Sequence, residues 1–171
     1  MFDSDNTVIL IFPKFEKGTL AFYVSKNSNW DQSMFFPYLS LDMNEDVNKK
    51  EDIILKISQK LNLSFHIDYV YLDKMNHENT KLNSKSLPHN IKYRYLFVYP
   101  TSRFYISEMN KKLQESGYSA YTLEDLKKDS KTIMQNGDVI IQVENKINLI
   151  RPLADSKVSG RTKGIWNLFK L

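Results

Sequence analysis

Two apolar runs open the chain. Thr7 to Phe12 (TVILIF) is unbroken and closed by Pro13, and Thr19 to Ser25 (TLAFYVS) follows the Lys17-Gly18 turn. β-Branched and aromatic residues on either side of a glycine turn predict a hairpin. Met34 to Leu41 contains Pro37, which suits a short strand or an extended loop and argues against a central strand. Ile53, Ile54, Ile57 and Leu61 then recur at helical spacing. Acidic Glu45, Asp46, Glu51 and Asp52 stand at or before the start of that helix, where its dipole favours them, and Asn62 is a suitable stop.

Past that helix the period becomes two. Phe65, Ile67, Tyr69 and Tyr71 alternate with His66, Asp68 and Val70, and Tyr93, Tyr95, Phe97 and Tyr99 alternate with Arg94, Leu96 and Val98, so both stretches predict sheet strands. The polar stretch 73–90 between them reads as a long loop or a hairpin excursion. Thr122 to Lys128 begins with a cap-like threonine and an acid in the first turn and ends in lysines, which predicts a short helix. Val139, Val143, Ile147 and Ile150 fit a last helix over 138–150, with a strand over Val139 to Val143 as the alternative.

Composition narrows the class. With 171 residues, 42% hydrophobic and 13% aromatic, the chain suffices for one packed core. It has no cysteine, which excludes disulfides and thiolate metal sites. The acidic start (MFDSD) has no basic n-region, and no apolar stretch approaches the roughly 20 residues that span a bilayer. The expectation is a soluble cytoplasmic or otherwise intracellular protein with no secretion signal and no membrane partner. The formal net charge of +4 is matched by residues 151–171 alone, through Arg151, Lys157, Arg161, Lys163 and Lys170 against Asp155. The body is therefore neutral in sum, and a nucleic-acid footprint would have to lean on the tail.

The order of elements, with Phe36-Pro37 before an acidic loop, a helix ending Leu61-Asn62-Leu63, two further strands and then Tyr121-Thr-Leu-Glu-Asp-Leu, resembles the Nudix family. In that family a strand–loop–helix module binds a divalent metal and cleaves diphosphates, through a box of pattern G-x5-E-x7-R-E-U-x-E-E-x-G-U. Setting Phe36-Pro37 at the usual Leu-Pro puts Leu39 at the box glycine and Glu45 at its first glutamate. Two extra residues before the helix then bring Leu55 to the arginine, Lys56 to the next glutamate, Ile57 to U, Gln59 and Lys60 to the glutamate pair, Asn62 to the second glycine and Leu63 to the last U. The apolar scaffold matches, and of the polar set only Glu45 does. The resemblance implies an α/β fold, a Nudix-like mixed β-sheet sandwiched between α-helices, spanning residues 1–155.

The box positions decide the chemistry. Residues 56 and 60 are one turn apart with 59 beside them, the face that presents metal-holding carboxylates in an active Nudix enzyme. Here it carries two ammoniums. At about 6 Å and an effective dielectric near 20, each repels a divalent ion by roughly 5 kcal/mol, where a glutamate would attract it as strongly. Leu55 also removes the arginine that orients the glutamates. No catalytic residue, metal site or cofactor is therefore expected. The expectation is a binding or scaffold module that recognises a protein, an RNA or a nucleotide-like ligand, with Lys56, Lys60, Glu45 and Arg94 as its candidate ligand residues, against an ordinary solvated helix face as the favoured role of the two lysines. The alternative is a divergent metal-dependent hydrolase of nucleoside diphosphate derivatives using Glu45 and displaced acids. Inactive Nudix-like domains in RNA-processing and ribosome-associated assemblies imply a protein or ribonucleoprotein partner.

Other constellations are weaker. His66, His77 and His89 lack ligand spacing, and His77 and His89 fall in the polar excursion, which assigns them to the surface. There is no G-x-S-x-G elbow, G-x-G-x-x-G or P-loop. Tyr93, Arg94, Tyr95 and Tyr99 could stack bases, but alternating tyrosines more often pack a sheet on a helix. Residues 156–171 form a basic, apolar-ended segment in which Arg161, Lys163, Trp166 and Phe169 are candidate partner-binding residues, with docking on the chain's own domain as the competing role.

Overall fold

The first apolar run becomes β1 (Asp3–Ile11), an interior strand of a five-stranded sheet. Val8, Ile9, Leu10 and Ile11 are all fully buried, so the run lacks alternation because both faces of the strand are covered. The structure, a computed structural model, describes residues 3–16, 19–27, 32–41, 49–72, 77–82 and 88–147. β5 (Tyr38–Leu41) runs antiparallel along one edge of β1, and β8 (Pro88–Pro100) runs parallel along the other. The far edge of β8 takes β7 (His77–Leu82) against its first half and β6 (Ile67–Tyr71) against its last residues, both antiparallel. One parallel pair among antiparallel ones makes the sheet mixed.

A second, antiparallel sheet is built around β3 (Thr19–Asn27), which pairs with β2 (Pro13–Glu16), β4 (Ser33–Phe35) and β9 (Ser119–Thr122). The predicted hairpin therefore forms between β2 and β3. The chain changes sheets at Phe12-Pro13, so Thr7 to Phe12 does not pair with Thr19 to Ser25 as expected. Proline has no N–H for the ladder, and Phe12 keeps one tie, accepting from the Tyr23 N–H at 3.2 Å. Pro37 acts in the same way and divides Met34 to Leu41 between β4 and β5.

Four α-helices and a short 3-10 turn (Arg103–Tyr105) complete the described part: α1 (Lys50–Leu61), α2 (Ile106–Glu115), α3 (Leu123–Lys128) and α4 (Ser130–Asn145). On one face of the large sheet Val8, Leu10, Leu39, Leu96 and Val98 pack against Ile53, Ile57 and Leu61 of α1 and Met109 and Leu113 of α2. On the other, Ile9, Ile11, Tyr95 and Phe97 pack against Phe22 and Val24 of β3, Leu126 of α3, and Val139, Ile140 and Val143 of α4. The expected layering of a mixed sheet between helices is what forms.

The caps follow the sequence. Asn62 closes α1 in the left-handed conformation (φ 54°, ψ 49°), and the Leu63 N–H reaches back to the Ser58 carbonyl at 2.8 Å. The Thr122 hydroxyl accepts from the Asp125 N–H at 3.1 Å and starts α3. α4 is helical through Val139 to Val143, which removes the strand alternative, and it begins at Ser130, eight residues before the expected start. Asp129 caps it by accepting from the Lys131 N–H at 3.1 Å. Its early turns are hard to read because Asn136 interrupts the apolar period at a kink (φ −129°, ψ 16°), where its amide donates to Ser33 Oγ at 3.0 Å and the Met34 carbonyl at 2.9 Å. α2 has no counterpart among the elements the pattern predicts. Ile106, Met109 and Leu113 keep helical spacing, but one short stripe among charged residues is a faint signal.

Candidate functional site

α1 is anchored at its start and along one side. Lys50 Nζ lies 2.7 Å from Asp68 Oδ1 on β6 and 5.0 Å over the Tyr69 ring, while Ile53, Ile57 and Leu61 bury the inner stripe. Burial would raise the Asp68 carboxyl, but the Lys50 hydrogen bond and a donation from the Tyr99 hydroxyl at 3.2 Å outweigh it and hold the group below the ordinary carboxylate range. A helix fixed in this way presents its outer stripe at a set angle to the edge strand β5.

Between α1 and β5 lies an open cleft of about 560 Å³, lined by Tyr38, Leu39, Ser40, Lys56, Gln59 and Lys60. Both ends of the aligned box meet here, since Leu39 is the residue aligned with its first glycine and 56, 59 and 60 are the residues aligned with its helical glutamates. Lys60 Nζ sits 5.1 Å over the Tyr38 ring, and partial burial lowers its proton affinity below that of an ordinary lysine. Tyr38 and Ser40 were not singled out by sequence reasoning. The signal available was alternation in β5, where Leu39 and Leu41 turn inward and Tyr38 and Ser40 are left outward.

Among the described residues no carboxylate lines this cleft, and the two ammoniums and the amide that do line it do not fit a divalent cation. Glu51 and Asp52 are exposed in the first turn of α1 and are not among the lining residues. Leu55, aligned with the box arginine, is 57% exposed on the outer face. Arg94 stands apart on β8, where its Nη1 donates to Asn6 Oδ1 across the β1–β8 pair at 3.2 Å, and it does not line the cleft. Glu45, Arg161, Lys163, Trp166 and Phe169 lie outside the described residues. Tyr93, Tyr95 and Tyr99 are buried against the helical layer, as sheet residues packing on a helix should be.

One assignment is corrected. His77 is not a surface residue of a polar loop. β7 pairs antiparallel with the first half of β8 and lays His77 flat on Tyr93 (ring centroids 4.6 Å apart, planes at 15°) with Nδ1 2.9 Å from the Tyr95 hydroxyl. Its Nε2 meets Asp138 Oδ2 of α4 at 3.1 Å. Asn79 Nδ2 also donates to Oδ2 at 3.0 Å, and Lys81 Nζ donates to Oδ1 at 3.1 Å. Every second residue of the strand, 77, 79 and 81, thus converges on one carboxylate. Alternation in His77-Glu-Asn-Thr-Lys81 carried the signal, but with polar residues on both faces it has no apolar contrast to mark it.

No family model matches the sequence, and no curated protein matches it. Solved structures do resemble the fold. An Ap4A hydrolase of C. elegans superposes with a TM-score of 0.51 at 12% identity, over 88% of this chain and 99% of that one. NrtR of Shewanella oneidensis gives 0.55 at 11% identity over 84% of this chain and 64% of its own, so the chain spans less than two thirds of NrtR, which has also been solved in complex with a 27mer DNA. A mutT/nudix family protein of Listeria innocua gives 0.50 at 12% identity, over 88% and 97%. At these identities the likeness is one of fold.

Proposed function

We propose that this Nudix-fold chain is a binding module which takes a phosphate-bearing ligand of the nucleotide class into the cleft between β5 and α1 and leaves it intact. The observation that carries the reading is that Lys56, Gln59 and Lys60 line the cleft, with no carboxylate among its described lining residues. An ammonium holds a phosphate oxygen by a charge-assisted hydrogen bond with no bridging metal, and the Gln59 amide and the Tyr38 and Ser40 hydroxyls add neutral partners. Ap4A in the name of one structural neighbour and DNA in the complex of another are both phosphate-bearing, which supports the ligand class.

The same residues argue against turnover. A diphosphohydrolase needs carboxylates to place a cation that activates water and neutralises the leaving phosphate, and positions 56, 59 and 60 supply none. Their own contribution is to attract, orient and partly neutralise the ligand. The test is incubation with a panel of nucleoside diphosphate derivatives and Mg²⁺ or Mn²⁺, in parallel with binding in EDTA. The expected result is binding without product release. Turnover that disappears in Glu45→Gln would show instead a divergent hydrolase.

A further inference from the structure

α4 carries an apolar face that the described fold leaves uncovered. Ile133 is 40% exposed, Met134 79% and Ile141 51%, while Val139, Ile140 and Val143 face the core. The kink at Asn136 parts this face: Ile133 and Met134 lie on the first segment of α4, and Gly137 and Ile141, about one turn apart, share a face of the second. A glycine inside a helix costs about 1 kcal/mol against alanine, and this one directly follows the kink at Asn136. Among the described residues, a Cβ built on it would meet only Ile133 Cγ2 of its own helix, at 3.9 Å, so the position is an open notch there. Gly137 and Ile141 stand one turn apart on the segment after the kink, two corners of the kind of hole that receives a knob from a packed helix.

α4 runs directly into the segment whose apolar residues have no assigned place. Ile165, Trp166, Leu168 and Phe169 follow one another at i, i+1, i+3 and i+4, the spacing of a single helical face. The 17 residues between, 148–164, would span roughly 23 Å root-mean-square as an unconstrained coil. Gly137 lies only about 12 Å back along the helix from Asn145. A tether of that span holds its end at an effective concentration on the order of millimolar, which favours the chain's own tail over a second copy at ordinary protein concentrations.

We infer that residues 165–171 fold back onto the outer face of α4, with a tail aromatic, Trp166 or Phe169, seated in the notch at Gly137. The apolar stripe and the apolar tail then cover each other, and the basic residues Arg161 and Lys163 are left at the rim. The face is distinct from the lysine cleft, so this docking neither requires nor excludes ligand binding there.

The chain has two tryptophans, so Trp30→Phe makes Trp166 the sole indole reporter in the full-length protein. Its emission and acrylamide quenching are measured across a dilution series, with the oligomeric state followed by light scattering. Docking predicts a shielded indole in a monomer, independent of concentration, and exposure of that indole in Met134→Asp and in Ile141→Asp. Both sites are solvent-facing, so the fold survives the substitutions, which circular dichroism checks. Free quenching before any change to α4 would overturn the inference. So would shielding that appears only in a dimer, which would assign the face to a second copy. Shielding that persists in both aspartate variants would place the tail elsewhere.

Discussion

Replacing Asp138 by alanine should remove a large share of the stability of the domain. The carboxylate accepts from His77, Asn79 and Lys81, with the Lys81 side chain only 10% exposed and that of Asp138 24%. Burial favours the neutral acid, but the His77 hydrogen bond, the Lys81 charge and the Asn79 hydrogen bond outweigh it and hold Asp138 well below the ordinary carboxylate range. Burial lowers Lys81 while Asp138 opposes that shift, so the ammonium depends on this carboxylate. Removing one partner of a buried pair costs about 3 to 5 kcal/mol, and the residual exposure of Asp138 places the loss near the lower end, about 3 kcal/mol. With a urea slope of about 2 kcal/mol/M, the midpoint should fall by roughly 1.5 M at unchanged slope. Lys81→Met combined with Asp138→Ala should cost less than the two single losses added together, because the double variant buries no lone charge. A midpoint shift under about 0.3 M for Asp138→Ala, or strict additivity in the cycle, would refute the idea that this network clamps β7 to α4.

Three further outcomes follow from the same structure. Acid should destabilise the fold: Asp138 and Asp68 both have folded-state values below their unfolded ones, so their contribution is complete above about pH 5 and is lost as pH falls below about 4; a melting temperature flat down to pH 2.5 would contradict this. Ile57→Ala, at a fully buried site, should cost about 2 to 4 kcal/mol, whereas Leu55→Ala, on the exposed face, should stay within about 0.5 kcal/mol by urea unfolding, and equal effects would mean that α1 is rotated from the described orientation. Thr122→Ala removes the cap on α3 and should cost about 1 kcal/mol, with Thr122→Ser retaining most of it.

What the residues revealed beforehand was mostly apolar period. α1, β6, β8 and α3 were legible because each pairs a clear repeat with a capping or punctuating residue, such as Asn62 or Thr122. α2 was not, since three apolar residues among charges give little contrast, and the start of α4 was hidden by the kink at Asn136. Sheet membership was illegible for the first hairpin, because Pro13 and Pro37 show where strands break but not to which sheet each piece goes. The cleft was half legible: spacing alone puts Lys56, Gln59 and Lys60 on one face, but only the pairing of β5 with β1 brings Tyr38 and Ser40 opposite them. Arg94 could not be placed from sequence, because which way a polar residue on a central strand points depends on what covers each face. His77 was misread for a related reason, as a polar strand buries its side chains only where a partner such as Asp138 waits across the gap.

The most direct test of the lysine cleft is calorimetric titration of ADP-ribose into the wild-type protein and into Lys56→Glu/Lys60→Glu, both in EDTA and at two salt concentrations. Direct ion pairing predicts binding that persists without metal, weakens as salt rises, and falls at least about tenfold in the double variant, since two exposed charge contacts of roughly 1 kcal/mol each are lost and then reversed. Equal affinity in the two proteins, or binding that vanishes in EDTA and returns with Mg²⁺, would contradict the account.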